Sequence, residues 1–418
     1  MNKKIIYLDY AATTPVDAEV LKAMLPYFSE KFGNASSLHI LGREASVAVA
    51  NARKSVANFF NADENEIIFT SGATESNNLA IKGVLRAYFK NRKNTEKKPH
   101  IITTVFEHSC VLKTCQKMEK EGIAEVTYLP VYADGIIKIA DLEKALKENT
   151  LLISIMYVNN EIGTVQPILQ IGKMLAKINS ERTEKIIFHT DATQAIAYFD
   201  TNVKKSGVDL LSMSAHKIYG PKGVGALYVK KSTKIAQVQD GGEQEFTLRS
   251  GTLNSSGIIG LGKAIELLGK NKQKESKKIQ NLRDYLIKKV LKEIPKAQLN
   301  GSRVKRSPNN ANFSFSDVEG ESLLLQLDME GLACSTGSAC SSGSLNPSHV
   351  LLALGMEPEQ AHSSLRITLG KYVTKKDLDV FVAKLKRILI DLRKISGKLL
   401  AEYYAKKNKQ TNLKNYGK

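Results

Sequence analysis

The sequence contains no tryptophan, and only four of its 418 residues are cysteine. So few cysteines exclude the disulfide framework of a small secreted scaffold. No apolar run reaches the roughly 18 residues that a membrane span needs. The N-terminal stretch "MNKKIIYLDYAATTP" also holds too short an apolar run for a signal peptide. We therefore expect a cytoplasmic globular protein with no membrane partner.

The cysteines form two distant pairs, Cys110 with Cys115 and Cys334 with Cys340. Their spacing gives no zinc-site signature, so we expect no bound metal. The second pair lies in "ACSTGSACSSGS" (333–344), where all the other residues are small. Small residues with high backbone freedom predict a mobile, exposed segment that carries both thiols.

The chain carries a formal net charge of +19, from 61 Lys and Arg against 42 Asp and Glu. Much of this charge lies in 269–278 and 405–418. Solvated helix faces and a basic tail are the simplest interpretation, and contact with RNA or an acidic protein is the alternative. Because no aromatic-rich RNA-binding signature is present, we do not expect direct nucleic-acid binding.

Short apolar runs alternate with helical stretches between residues 18 and 260. The runs are typical of buried strands and cover 66–70, 100–105, 151–158, 185–190, 209–214 and 225–229. Their alternation with helices predicts an α/β fold with a mainly parallel sheet and helices on both faces. In such folds the ligand lies at the carboxyl ends of the strands.

After about residue 262 the chain changes to longer, lysine-rich helices, which indicates a second, smaller domain. Apolar residues at three- and four-residue steps predict one helix face that packs into its core: Leu378, Phe381, Leu385, Ile388, Leu392 and Ile395. We predict a large domain over 18–262, a small domain over 263–400 and a basic, disordered tail over 401–418.

Two motifs after predicted strands suggest covalent and anion-binding chemistry. Lys217 follows a buried strand beside Ser214 and His216, where a desolvated lysine could attack an aldehyde; a structural, ion-paired lysine is the alternative. In "TSGATESNNLAIKG" (70–83) a strand runs into a helix at Ala73 and Thr74. That helix start could bind phosphate, although a simple N-cap explains it equally well.

Further polar residues follow other predicted strands. Asp191 could hold a protonated ring nitrogen, with Gln194 close behind it, and His108 and Asn159 occupy similar positions. Together with Lys217 and the phosphate turn, these strand ends describe a pyridoxal phosphate site.

Nine motifs then occur in the order found in one enzyme family: "YLDYAATTP", "TSGATESNNLAIKG", "EHSCV", "VNNEIGTVQP", "HTDATQA", "SAHKIYGPKGVGALYV", "LRSGTLN", "GSACSSGSLNPSHVLLALG" and "SLRITLG". The chain resembles the cysteine desulfurases of the NifS/IscS type, within the class V aminotransferase group of fold-type I pyridoxal phosphate enzymes. The resemblance covers residues 7 to about 370. It implies the fold-type I architecture, with residues 1–17 joining the small domain.

The resemblance assigns roles around the cofactor ring. Lys217 would attach the cofactor covalently and act in catalysis. Asp191 would hold the ring nitrogen, Gln194 would contact the ring hydroxyl, and His108 would stack on the ring and take part in catalysis. Asn159 would contact both the cofactor and the substrate.

The resemblance also assigns the residues that bind the cofactor phosphate and the substrate carboxylate. The phosphate would be held by Ala73, Thr74, Ser214 and His216, together with Thr252 from the neighbouring subunit of a homodimer. The carboxylate of L-cysteine would be bound by Asn159 and by Arg366, the latter through a bidentate fork.

Cys340 matches the family's nucleophile in the long-loop, IscS-like subgroup. Its thiolate would attack the sulfur of cysteine, which gives alanine and a persulfide on Cys340. The persulfide would pass to an acceptor protein, such as an iron–sulfur scaffold, or into another thio-cofactor or tRNA thiolation pathway. Cys334 would be a small filler at the base of the loop, with persulfide relay as the alternative.

Other class V enzymes, such as a selenocysteine lyase or an aminotransferase, remain the alternative function. An aminotransferase needs no nucleophilic thiol, so Cys340 argues against that choice. The chain departs from the usual family residues at Ala35, Phe106 and Ala197, and none of these changes removes a catalytic group.

Overall fold

The computed structural model describes residues 5–90, 97–336 and 347–415, with side chains up to about residue 395. The β-strands in these ranges are β1 (Ile6–Tyr7), β2 (Ile67–Thr70), β3 (His100–Thr104), β4 (Glu125–Leu129), β5 (Thr150–Ser154), β6 (Ile187–Asp191), β7 (Leu210–Ser214), β8 (Gly225–Val229), β9 (Ala297–Leu299), β10 (Asn310–Phe315), β11 (Leu332–Ala333) and β12 (Ser364–Thr368).

The α-helices in the same ranges are α1 (Ala18–Met24), α2 (Pro26–Ser29), α3 (Ile40–Phe60), α4 (Ala73–Lys90), α5 (Ser109–Lys120), α6 (Ile139–Ala145), α7 (Ile168–Glu181), α8 (Val203–Ser206), α9 (Ser255–Glu293), α10 (Gly320–Met329), α11 (His349–Ala353), α12 (Pro358–His362) and α13 (Lys375–Asn415). Short 3₁₀ turns lie at Glu64–Glu66, Ala215–Lys217 and Glu245–Thr247.

The largest sheet of the described residues has the strand order β2-β8-β7-β6-β5-β3-β4. Strand β8 runs antiparallel to both of its neighbours, and the pairs from β7 to β4 are parallel. The prediction of an α/β fold with a mainly parallel sheet is therefore confirmed. Strand β4, at the sheet edge and only partly buried, was missed by the search for apolar runs.

This topology brings the predicted site residues to one edge. Because β8 reverses direction between β2 and β7, strand β2 points the same way as β7, β6, β5 and β3. The carboxyl ends of these strands, at Thr70, Ser214, Asp191, Ser154 and Thr104, therefore share one edge of the sheet.

A smaller antiparallel sheet has the order β12-β10-β9, and β1 pairs in parallel with β11. Apolar residues from the N-terminal segment, such as Leu8, pack with Phe313 and Phe381 in the core beside this sheet. The predicted stripe on α13 is confirmed from Leu378 to Leu392 but is wrong for Ile395, whose side chain is 53% exposed. That residue lies past the end of the core that α13 covers.

Helix α9 crosses the predicted domain boundary, because its Leu261 packs in the core of the large sheet and its Leu286 in the other core. Helix α13 continues into 401–415, part of the segment predicted to be a disordered tail. The domain bounds and the state of the tail stay predictions. Within the described part of the chain, no helix is both long and apolar enough to cross a membrane.

Candidate active site

The start of α4 offers a site for an anion. Strand β2 runs through Ser71 and Gly72 into the helix, and Gly72 takes a φ of +150° that only glycine adopts readily. A Cβ on Gly225 of β8 would lie 2.7 Å from the Cα of Gly72, so the two glycines allow their backbones to touch. The first amide groups of a helix have no partner within it and point toward its positive end. The N–H groups of Ala73 and Thr74 therefore suit a phosphate.

Ser214 and His216 flank this turn. A Cβ on Gly72 would lie 3.6 Å from Ser214 Oγ, so the hydroxyl faces the helix start. His216 Nδ1 lies 3.1 Å from Thr13 Oγ1. Burial, together with the charges of Lys217 and Lys222, lowers the pKa of His216 to about 4, so the ring is neutral at physiological pH.

Lys217 ends the 3₁₀ turn that follows β7 and is half-buried. Its Nζ donates to the carbonyl oxygens of Ala11 and Ala12, each at 2.6 Å. Gln194 Nε2 donates to the same oxygen of Ala11 at 3.0 Å. The N-terminal segment thus crosses the site, a part of the architecture that our search along strand ends missed.

Asp191 ends β6 and is almost fully buried. Its Oδ2 accepts from Asn77 Nδ2 at 2.7 Å, and its Oδ1 accepts from the backbone N–H of Thr193 at 3.0 Å. These bonds fix the carboxylate in one orientation at the edge of the sheet. Asn77 was not singled out in the sequence, although it lies one helical turn after Ala73 on the face that meets the site.

His108 caps the start of α5, with Nδ1 3.3 Å from the backbone N–H of Cys110 and 2.9 Å from Cys110 Sγ. Burial lowers the pKa of His108; Asp191 opposes this shift, and Lys217, His349 and Arg366 add to it. The ring is therefore held neutral within electrostatic reach of Asp191 and Lys217, as its predicted place beside the cofactor ring requires.

Glu107 is a fully buried carboxyl group that sequence reasoning missed. Its Oε1 accepts from Thr104 Oγ1 and from the backbone N–H of Met156, both at 2.9 Å. Burial raises the pKa of Glu107 to about 8, so the group stays largely protonated at neutral pH. Its position directly before His108 is the only sequence feature that points to it.

Asn159, in the loop after β5, and Arg366, in β12, are both buried. Asn159 Oδ1 accepts from the N–H groups of Glu161 and Ile162, and Nδ2 donates to Phe106 O at 3.0 Å. Arg366 pairs with Asp9 at 2.8 Å and donates to Asn160 O at 3.2 Å. Their predicted contacts with substrate stay a prediction, and the bonds to Asp9 and Phe106 were not foreseen.

Thr252 lies exposed before α9, apart from the buried groups described above. The loop that carries it is tied back to the phosphate turn, because Arg249 Nε donates to Glu75 Oε1 at 2.9 Å. Glu245 to Thr247, in the same loop, have positive φ angles of 49°, 57° and 63°, which are costly for residues other than glycine.

Cys340 lies outside the described residues, which stop at Thr336 and resume at Pro347. On one side, Ser335 and Arg366 exchange two backbone hydrogen bonds. On the other, Ser348 Oγ donates to the buried carboxyl of Glu161. The described residues that precede and follow 337–346 therefore lie beside Arg366 and the loop after β5.

Cys334 differs from the predicted exposed segment. Its side chain is half-buried against the core of the small sheet, and burial raises the pKa of its thiol. The prediction of exposed thiols is thus wrong for Cys334, because strand β11 draws it into that core. Its packing favours the role of a small filler.

The side chains present fit pyridoxal phosphate. The start of α4 with Ser214 suits a phosphate, the buried carboxylate of Asp191 suits a protonated ring nitrogen, and Lys217 supplies an amine. Arg366 Nε is buried and has no partner among the described residues, so a donor remains for a further acceptor.

Within the same residues, no three His, Cys, Asp or Glu side chains cluster as a metal site would require.

Comparisons with known proteins identify the family of the chain. The family model described as aminotransferase class-V matches residues 6–381. The chain is 53% identical over 394 residues to a cysteine desulfurase IscS of Dictyoglomus turgidum, covering 94% of this chain and 97% of that protein. It is 48% identical over 402 residues to a cysteine desulfurase IscS of Methanosarcina thermophila, covering 96% of both.

Solved structures show the same similarity. A structure titled as a NifS-like protein superimposes with a TM-score of 0.84 at 36% identity, over 93% of this chain and 100% of that one. A structure of SspA in complex with cysteine gives a TM-score of 0.76 at 39% identity, over 88% of this chain and 99% of that one.

Proposed function

The chain belongs to the class-V aminotransferase family as a pyridoxal-phosphate-dependent cysteine desulfurase, and we propose that Lys217 and Cys340 carry the two chemical roles of its reaction. The observation that supports this proposal best is the shared edge of the large sheet. Lys217, Asp191 and His108 lie at or after the ends of three of its strands, and the charges of Asp191 and Lys217 both act on His108.

The proposed cofactor contacts follow from the chemistry of each group. The helix start at Ala73 and Thr74, with Ser214 and His216, would hold the phosphate, and Thr252 would reach the phosphate of a second subunit. Asp191 would keep the ring nitrogen protonated, Gln194 would contact the ring hydroxyl, and His108 would lie against the ring. When bound, pyridoxal phosphate supplies an electron sink for the substrate's α-carbon.

Lys217 would attach the cofactor and later act as a base. Its Nζ donates to Ala11 O and Ala12 O, so those carbonyls hold the amine against the N-terminal segment. As a neutral amine, Lys217 would take the proton from the α-carbon of cysteine. The backbone oxygens cannot ionise, and they can accept from the amine again as soon as it regains its proton.

Arg366 would bind the carboxylate of cysteine. Its guanidinium is buried, pairs with Asp9, and keeps Nε without a partner among the described residues. A planar guanidinium offers donors in pairs, so a substrate carboxylate can be held in a fixed orientation. Asn159 would contact the same carboxylate, and to do so its Nδ2 would exchange the bond that it makes to Phe106 O.

Cys340 would accept the sulfur. Its thiolate attacks the sulfur of cysteine, an S–S bond forms and the C–S bond of the substrate breaks. The electron pair of the broken bond stays with the β-carbon, which takes up a proton, and the α-carbon regains the proton that Lys217 removed, which gives alanine. Cys340 keeps the second sulfur as a persulfide for an acceptor protein, for which we propose an iron–sulfur scaffold or another thio-cofactor or tRNA thiolation pathway, in the cytoplasm.

A homodimer is supported by an exposed apolar face on α1–α3 and the loops between them. Large apolar side chains here are strongly exposed: Leu21, Leu25, Phe28, Phe32, Leu38, Ile40 and Val47. Phe246, on the loop that carries Thr252, lies over Arg53 of α3 with 5.2 Å from its ring centroid to Arg53 Cζ. Phe246 is itself 51% exposed and packs against α3, so the loop that would serve a neighbouring site also exposes an apolar side chain, and we propose a second copy of this chain as the partner.

The products of turnover test the function. We expect the purified protein, supplied with L-cysteine and a reductant, to release alanine and sulfide in equal amounts. An aminotransferase would instead form a keto acid from cysteine without sulfide. A selenocysteine-specific lyase would release alanine from selenocysteine and almost none from cysteine. Either of these results would overturn the proposal.

A further inference from the structure

Asp191 and His108 are joined through the side chains of Asn77 and Cys110. Asn77 Nδ2 lies 2.7 Å from Asp191 Oδ2 and 3.0 Å from Cys110 Sγ. Cys110 Sγ in turn lies 2.9 Å from His108 Nδ1. The four side chains therefore form one continuous chain of hydrogen bonds between the ends of β6 and β3.

Asn77 sets the direction of these hydrogen bonds. A carboxylate only accepts, so the amide nitrogen of Asn77 must face Asp191, and its other hydrogen goes to Cys110 Sγ. A rotated amide would set Oδ1 against the carboxylate. In the present orientation Asn77 Oδ1 is buried and has no partner among the described residues. The two hydrogen bonds that Asn77 Nδ2 donates therefore outweigh the cost of leaving Asn77 Oδ1 without a partner.

Cys110 sets the proton position on His108. The backbone N–H of Cys110 can only donate to Nδ1, so the neutral ring carries its proton on Nε2. The sulfur accepts from Asn77, which leaves its S–H free to donate to Nδ1. Burial, with a contribution from Asp191, raises the pKa of Cys110 to about 12, so the thiol keeps this proton at neutral pH. The positive end of α5 also disfavours a proton on Nδ1.

We propose that Asn77 and Cys110 are positioning residues, which fix the carboxylate of Asp191 in one orientation and hold His108 neutral with its proton on Nε2. Their role in the reaction rests on the function proposed above, because Asp191 and His108 are the groups assigned to the cofactor ring. The hydrogen-bonded chain itself requires neither cofactor nor substrate.

The direct test is a pH titration of His108 in the apoprotein. The titration is monitored by long-range ¹H–¹⁵N NMR on ¹⁵N-histidine-labelled protein. The signal is identified by its loss in His108→Gln. Charges that act on His108 come from Asp191, Lys217, His349 and Arg366, and none of them changes in the variants. In Cys110→Ala the donor to Nδ1 is lost, so we expect the pKa of His108 to rise by about 0.5–1 unit.

Two further variants complete the test. Cys110→Ser supplies a hydroxyl donor and should restore most of the parent pKa. Cys115→Ala is the matched control, because Cys115 lies in the same helix and takes no part in the chain of hydrogen bonds, and it should leave His108 unchanged. Should Cys110→Ala not fold, Asn77→Ala removes the donor that aligns the sulfur and should give the same upward shift.

The affinity for pyridoxal phosphate gives a second readout. We expect Asn77→Asp, which sets a second carboxyl against Asp191, to weaken cofactor binding to the apoprotein about tenfold or more. A parent-like pKa for His108 in both Cys110→Ala and Asn77→Ala would overturn the proposal. This result would leave the desulfurase function untouched, since the titration uses no turnover.

Discussion

Lys217 Nζ lies 2.6 Å from the carbonyl oxygen of Ala11, a residue 206 positions earlier in the chain. Gln194 donates to the same oxygen, so one backbone carbonyl joins two residues proposed to contact the cofactor. The same lysine also donates to the carbonyl oxygen of Ala12 at 2.6 Å. The N-terminal segment is therefore a structural part of the site.

The first prediction concerns this lysine. Lys217→Ala should fold but lose the yellow absorbance of covalently bound pyridoxal phosphate, because the amine that attaches it is gone. Borohydride treatment followed by peptide mass mapping should place the reduced cofactor on Lys217 in the parent and nowhere in the variant.

Lys222→Ala is the matched control, since Lys222 lies exposed in the turn that follows Lys217. It should keep the absorbance and the cofactor adduct of the parent. A borohydride-stable adduct of undiminished yield in Lys217→Ala would contradict the assignment of this lysine.

The second prediction concerns the homodimer. Phe28 and Phe32 are 61% and 65% exposed on the apolar face of α1–α3. The double variant Phe28→Glu/Phe32→Glu should be monomeric in light scattering at micromolar concentration, because buried carboxylates would oppose association. Its desulfurase activity should fall at least tenfold, since Thr252 would no longer reach a neighbouring site.

Val304→Glu provides the control, because Val304 is 89% exposed but lies on a loop of the other core region. This variant should remain dimeric and active. If the double variant were still dimeric, or if a monomeric parent had full activity, the α1–α3 face would not be the interface.

The third prediction concerns pH and Glu107. Burial raises the pKa of Glu107 to about 8 from an ordinary value of 4.5, so the folded protein binds this proton more tightly than the unfolded chain. The contribution of protonated Glu107 to the free energy of unfolding is fully present below about pH 4.5 and is lost as the pH rises through about 8. Glu107→Gln cannot ionise and should lack this loss of stability, which is of order 5 kcal/mol.

The measurement is urea unfolding of the apoproteins at several pH values between 4.5 and 9. The free energy of unfolding of Glu107→Gln should increase relative to that of the parent as the pH rises. Glu143→Gln, at an exposed position on α6, should follow the parent at every pH. A constant difference between Glu107→Gln and the parent would show that Glu107 titrates normally.

The sequence predicted those parts of the site that follow from local pattern. Asp191, His108 and Lys217 each come after a buried apolar run, so the rule that parallel strands end at one edge was enough to bring them together. The apolar stripe on α13 was also predicted from a local pattern, the spacing of its apolar residues. Ile395 was wrongly included because this spacing does not show where a core ends.

Other parts depend on contacts between distant residues. The bond from Lys217 to Ala11 and the pair of Arg366 with Asp9, 357 positions apart, require the complete fold. The pairing of β11 with β1, which draws Cys334 toward a core, is likewise set by tertiary packing. Only the family motifs pointed to the N-terminal segment, and nothing local pointed to its backbone oxygens.

The central claim is that Cys340, and not Cys334, receives the sulfur. Cys340→Ser should still bind pyridoxal phosphate and cysteine, because Lys217, Asp191, Asn159 and Arg366 are unchanged. A serine hydroxyl is a far weaker nucleophile toward sulfur, so alanine and sulfide production should fall to near background. Cys334→Ser should behave like the parent, since the burial of its thiol disfavours the reactive thiolate.

The most direct measurement is to treat the parent with L-cysteine, remove the excess, and locate the added sulfur by peptide mass mapping, with cyanolysis to count it. We predict one cyanide-labile sulfur for each active subunit, on the peptide that contains Cys340 and on its thiol. The added sulfur on Cys334, or a fully active Cys340→Ser variant, would contradict the proposed reaction.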